Sequence, residues 1–127
     1  MLPDDLEDWL TEEGDRVVQK VAAAGAASLN RRERLVYEIW LFDTEQRNGG
    51  VSQYFANWGR EHWDTLCAVA IPLLPRFSAF AACVHEVVAE AADAYLAVLE
   101  SDGALDRAYE ECRASLVSDL RRAVSAV

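Results

Sequence analysis

A chain of 127 residues, 52% hydrophobic and 27% charged, is long enough for one domain with a sizeable core and too apolar to stay disordered. Its formal net charge of -10 and pI near 4.5 argue against direct binding of nucleic acid or an anionic membrane, because a phosphate surface would repel it. That balance leaves room for a partner that is itself basic.

Asp4 to about Ala24 reads as a first helix. Leu6, Leu10, Val17 and Val21 form its apolar stripe, with Trp9 beside it, and Glu13 and Gly14 interrupt it. Asp4, Asp5, Asp8, Glu12 and Asp15 make the acidic side, and carboxylates early in a helix suit its positive end. Asp4, Asp8, Glu12 and Asp15 recur every three or four residues, which spaces charges about 5–6 Å along the axis. That is of the order of the rise between phosphates on a nucleic-acid strand, about 3.4 Å. A solvated face and a partner-binding face both fit the pattern. Ala23–Ser28, with Gly25, is the first connection.

Asn30 followed by Glu33 predicts an N-cap with a capping box, and a second helix from Arg31 to about Arg47. Leu35, Ile39 and Phe42 give its apolar row, widened by Val36 and Trp40. Arg31, Arg32 and Arg34 stand at the positive end, where the dipole disfavours them, so solvent exposure or pairing with carboxylates elsewhere is expected. Gly49-Gly50 ends this helix, Val51–Trp58 is a short third, and Gly59 punctuates again. A fourth runs from Arg60 to about Ala70 with Trp63, Leu66, Cys67 and Ala70 inward, and Pro72 and Pro75 turn the chain. A long helix from Arg76 to about Glu100 follows, with the row Phe77, Phe80, Val84, Val87, Ala91, Tyr95 and Val98. Ser101-Asp102-Gly103 breaks it, and the last helix shows Leu105, Tyr109, Cys112, Leu116, Leu120 and Val124 on one face. No alternating run is long enough for a strand, and there is no internal repeat or linker. The expected fold is all-α: residues 1–127 as a single compact domain of five to six helices with short connections.

Cys67, Cys83 and Cys112 are odd in number and sit in apolar helical runs, which reads as three reduced core thiols in a cytoplasmic protein. The N-terminal stretch lacks the basic start and apolar run of a signal peptide, and no segment is apolar for long enough to span a bilayer. His62, near Glu61 and Asp64, reads as a surface residue, and His85 as surface or core; neither shows metal-ligand spacing. There is no phosphate cradle, nucleophile elbow or cysteine with an activating basic neighbour. The expectation is therefore no metal, no cofactor and no enzymatic activity.

The densest cluster of special residues runs from Glu45 to Gly59. Asn48, Gly49 and Gly50 tolerate the positive φ of a helix end or tight turn. Gln53 and Asn57, four apart, share a helical face, while Tyr54 and Phe55 between them read as core anchors. Glu45, in the last turn before the glycines, lies within reach of the loop amides. A structural latch around the turn and a polar patch for a partner both follow from these residue types.

This stretch resembles the N-G-G-x-x-Q-Y-F-x-N signature of the bacterial DNA-mimic protein family. Glu45, Asn48, Gly49, Gly50, Gln53, Tyr54, Phe55, Asn57 and Gly59 match it in order and spacing, within a region from roughly Trp40 to Leu66. Val51 stands where an aromatic is more usual and Trp58 where a small polar residue is; Ile71-Pro72-Leu73-Leu74-Pro75 replaces a glycine-containing turn. The resemblance implies an acidic protein-binding module that occupies the DNA-binding surface of a basic regulator. Asp4, Asp5, Asp8, Glu12 and Asp15 would then be the partner-binding surface, and a homodimer is left open. Two other readings remain open: an immunity or antitoxin-like protein that neutralises a basic toxin, and a small-ligand binder or enzyme centred on Gln53 and Asn57.

Overall fold

Five α-helices carry the chain in a computed structural model that describes residues 2–101 and 103–125. They are α1 (Asp4–Ala24), α2 (Arg31–Ala70), α3 (Pro75–Val88), α4 (Ala94–Glu100) and α5 (Ala104–Ser125), with a 3-10 turn at Ala26–Ser28 after α1. Among the described residues there is no strand. The start of α2 is fixed as its sequence predicts. The Asn30 side chain accepts the Glu33 N–H at 2.9 Å, and the Glu33 carboxylate accepts the Asn30 N–H at 2.9 Å.

Although α2 covers 40 residues, it is bent twice, at Gly50 (φ 88°, ψ 173°) and Gly59 (φ 77°, ψ -178°). These are the glycines expected to separate the second, third and fourth helices. The bends fold α2 back on itself, so that its three pieces deliver Phe42, Tyr54 and Trp63 to one place. Phe42 is the hub. Its ring centroid lies 4.8 Å from Tyr54, 5.8 Å from Trp63, 5.6 Å from Phe80 of α3 and 5.1 Å from Tyr109 of α5. All five rings are buried, in tilted or edge-on arrangements worth roughly 0.5–1.5 kcal/mol per pair beyond area burial. Leu35, Ile39, Leu66, Leu74, Leu116 and Leu120 complete the centre.

Gly14 is not an interruption of the α1 stripe but its point of closest approach. It is buried with Leu10 and Val17, and a Cβ there would lie 2.0 Å from Trp40 Cδ1. Only a residue without a side chain lets α1 settle on the Trp40 indole.

Three expectations change. The long helix from Arg76 to Glu100 is two helices, because Asp93 leaves the helical region (φ -129°) and its side chain accepts the Leu96 N–H as the cap of α4. The carbonyls freed at the break are taken by Arg60, which donates to Val88 O and, at 3.1 Å, to Ala91 O. Tyr95 therefore lies on the exposed side of a separate short helix and Val87 and Ala91 are only half-buried, while Phe77, Phe80, Val84 and Val98 are core as expected. The three thiols are free, but only Cys67 is in the core; Cys112 is half-buried and Cys83 exposed. Of the break at Ser101-Asp102-Gly103, Asp102 lies outside the described residues, and Gly103 has φ 78°. No described helix is long and apolar enough to cross a membrane.

Candidate functional site

The two adjacent glycines of the motif are needed for different physical reasons. Gly50 has φ 88°, which side chains rarely adopt, and its hypothetical Cβ would sit 3.2 Å from the Asp106 carboxylate. Gly49 stays helical, but the bend brings α2 so close that a Cβ there would meet Gln53 Oε1 at 1.8 Å and Gln53 Cβ at 3.0 Å. Around this turn Glu45 acts as the latch acceptor. It takes the Asn57 Nδ2 donor at 2.5 Å and, more weakly, the Gln53 Nε2 donor at 3.4 Å. Tyr54 and Phe55 turn inward, packed edge-on at 5.5 Å, while Asn48 and Asn57 remain exposed. The side-chain amides of Gln53 and Asn57 thus point back at their own helix.

Neighbouring residues that spacing alone did not single out complete the turn. Asp106, in the first turn of α5, accepts the Val51 N–H at 2.8 Å and the Gln46 side-chain amide at 3.2 Å. It serves as the N-cap that the restarted helix lacks. One turn deeper lies a buried ion cluster. Arg113 Nε and Nη2 donate to the two oxygens of Asp43 at 2.6 and 3.0 Å, and its Nη1 and Nη2 to Glu7 at 3.1 Å each. Tyr109 adds its hydroxyl to Asp43 Oδ1 at 2.5 Å, and Arg47 pairs with Glu7 at 2.5 Å from outside. Burial opposes charge on Arg113, yet its hydrogen bonds to Asp43 and Glu7 outweigh that and raise its pKa further. Hydrogen bonding to Arg113 holds Glu7 below the usual carboxylate range, against a smaller effect of burial, with Arg47 adding to it. Burial, then the nearby Asp43 charge, pushes the Tyr109 hydroxyl well up. A signal for this cluster did exist: Arg113 lies four residues after Tyr109, on the apolar row of α5.

A second polar group hides under the latch. Glu38 is 1% exposed, and His62 Nε2 approaches its Oε1 at 3.0 Å, an ion pair when the imidazole is protonated. The approach is close but poorly aligned, so neither group gains a well-directed hydrogen bond. Burial raises the Glu38 pKa, with His62 and Arg34 offsetting part of the rise. His62 is thus half-buried and tied to the core, not a free surface residue. The buried Tyr54 hydroxyl and Trp63 indole N–H close by have no protein partner.

The five acidic residues of α1 expected to face outward all do so. Asp5 meets Arg121 at 3.5 Å, whereas Asp4, Asp8, Glu12 and Asp15 have no basic partner among the described residues. The acids on the other sides of the helix are engaged: Glu7 by Arg113 and Arg47, Glu13 by Arg16. Beside α1 an open, polar groove of about 350 Å³ runs between Glu7, Thr11, Trp40, Asp43, Arg47 and Asn48, joining the acidic helix to the motif. Among the described residues, no cluster of His, Cys, Asp and Glu could hold a metal ion.

A family model described as DMP19-like protein matches residues 27–124. No curated protein and no solved structure matches the chain. The matched span begins just after α1 and takes in the bent α2 with its latch, the Asp43–Arg113 pair and nearly all of α5. It also runs through Ile71–Pro75, where the local motif departs from the family pattern. With three-quarters of its length inside that match, the chain belongs to the DMP19-like family of DNA-mimic proteins.

Proposed function

We propose that this chain binds a basic, DNA-binding protein and occupies the surface that protein uses for DNA, with Asp4, Asp8, Glu12 and Asp15 of α1 as the row that stands in for phosphates. The observation that carries the reading is the division of charge on one helix. Its inward acids are neutralised by Arg113, Arg47 and Arg16, while the outward row is left without a counter-charge. A row of unpaired carboxylates on a rigid helix presents a concentrated negative field, which raises the on-rate of a basic partner and weakens with salt. Membership of a DNA-mimic family supports the class of partner. Since the match begins at residue 27, the choice of α1 rests on this chain's own charge pattern.

The test uses the immobilised chain to retrieve, at low salt, proteins that high salt releases, and then asks whether duplex DNA displaces the retrieved protein. A quadruple variant carrying Asp4→Asn, Asp8→Asn, Glu12→Gln and Asp15→Asn keeps the side-chain sizes. It should stay folded by circular dichroism, lose most of its affinity and show a shallower salt slope. A variant that binds as tightly as the parent removes α1 from the interface. A partner that holds DNA and this chain together disproves mimicry.

A further inference from the structure

Ten of the twelve basic side chains of this acidic protein have a partner. Nine of them pair with carboxylates or carbonyls, Arg34 with the Ala26 carbonyl at 2.9 Å and Arg60 with the end of α3, and Arg107 is engaged as well. Arg31 and Arg32 alone among the described residues have none. Together with Arg34, whose guanidinium is turned to the Ala26 carbonyl, they line a groove of about 390 Å³ that also takes in the apolar Leu35, Val69 and Leu73. Among the described residues, no aspartate or glutamate lines it. Leu73, in the turn after α2, is 55% exposed and forms an apolar lip. Two unpaired cations beside an apolar lining form a recognition pattern of their own, chemically the opposite of the acidic helix.

We propose that this groove binds a monoanionic amphiphile, a fatty-acid-type molecule whose carboxylate meets Arg31 and Arg32 while its alkyl chain lies along Leu35, Val69 and Leu73. The volume falls in the range of small-molecule sites, and guanidinium forks match a carboxylate bidentately. Net charge decides between anionic occupants. A nucleic acid, an anionic membrane or an acidic protein brings many charges into the field of a chain carrying -10. A single carboxylate meets that repulsion once and the local guanidiniums directly.

The probe is sodium decanoate below its micelle concentration, titrated against the full chain and followed by methyl resonances and calorimetry. Saturable shifts of the Leu35, Val69 and Leu73 methyls are expected, with decanol and butyrate binding at least tenfold more weakly. The double variant Arg31→Gln, Arg32→Gln alters two exposed, unpaired residues and should fold normally. It should lose decanoate affinity at least tenfold and leave decanol binding unchanged. Leu73→Ser should weaken decanoate and decanol alike. The quadruple α1 variant should bind decanoate as the parent does, which separates this site from the partner-binding one. Shifts confined to other methyls, equal affinity for decanol, or indifference to the double arginine variant would overturn the proposal. So would binding of phosphatidylglycerol vesicles or an acidic peptide by a chain that ignores monomeric decanoate.

Discussion

The carboxylate of Asp106 accepts the backbone N–H of Val51 at 2.8 Å, joining the first turn of α5 to the point where α2 restarts after its bend. One side chain from 55 residues away thus caps a helix restart that has no cap of its own. Asp106→Ala should destabilise by about 1–3 kcal/mol, because it leaves Val51 N–H and the Gln46 amide unsatisfied. Asp106→Asn keeps an acceptor oxygen and should recover part of the loss. Urea denaturation of the three proteins checks the order; equal midpoints for parent and Asp106→Ala would show that water replaces the cap.

The adjacent glycines offer a double-mutant cycle. Gly49→Ala and Gly50→Ala should each cost about 1 kcal/mol or more, one through the close approach of Gln53 and the other through its positive φ. Adding Gln53→Ala removes the nearest clashing atoms at Gly49 and none at Gly50. Coupling of at least 0.5 kcal/mol is therefore expected for the pair 49/53, and near-additivity for 50/53. The reverse pattern would mean that the two glycines have been assigned the wrong roles.

Arg113 neutralises a buried Asp43 and the partly buried Glu7. Arg113→Leu should destabilise by about 3–5 kcal/mol, since it strands a buried carboxylate. Arg113→Lys, a point charge without the fork, should fall between that variant and the parent. Acid titration reads the same cluster. The Glu7 pKa is lowered in the fold, so its contribution is complete above the ordinary glutamate value and is lost as pH falls through the lowered one. Glu7→Gln should therefore lose less stability on acidification than the parent does, measured as denaturation midpoint against pH.

Glu38 predicts a slope of the opposite sign. Its pKa is raised by burial, so its contribution is complete below the ordinary glutamate value of about 4.3 and declines as pH rises through the raised value. Glu38→Gln removes that decline. Its midpoint should gain on the parent's as pH climbs above about 4.3, the range over which the unfolded chain ionises first. A parent and variant with parallel profiles would mean that His62 and Arg34 fully compensate the buried charge.

Local chemistry made much of this structure readable in advance. The Asn30–Glu33 box, both bends of α2 and most inward rows follow from periodicity and glycine placement, because those signals act within a few residues. The break before α4 was hidden because Asp93 caps a helix in a run with neither glycine nor proline. It also depends on Arg60, about thirty residues away, to take the freed carbonyls. The latch was legible in its members but not in its support: Glu45, Gln53 and Asn57 are neighbours in sequence, whereas Asp106 reaches Gly50 only through the tertiary fold. Gly14 was misread for a related reason, since its partner Trp40 lies on another helix and periodicity describes one helix at a time.

The two kinds of carboxylate on α1 differ in how freely they can change over evolutionary time. Substituting Glu7 disturbs Arg113 and, through it, Asp43 and Tyr109, so that position is tied to the scaffold. Asp4, Asp8, Glu12 and Asp15 touch nothing that the fold requires, and their replacement leaves the seat of Leu10, Gly14 and Val17 intact. Lineages can therefore retune the outer row, adding, deleting or shifting charges by one turn, while the bundle beneath stays the same. With α1 as the proposed partner-binding face, recognition would drift from one partner to another without an intermediate that fails to fold.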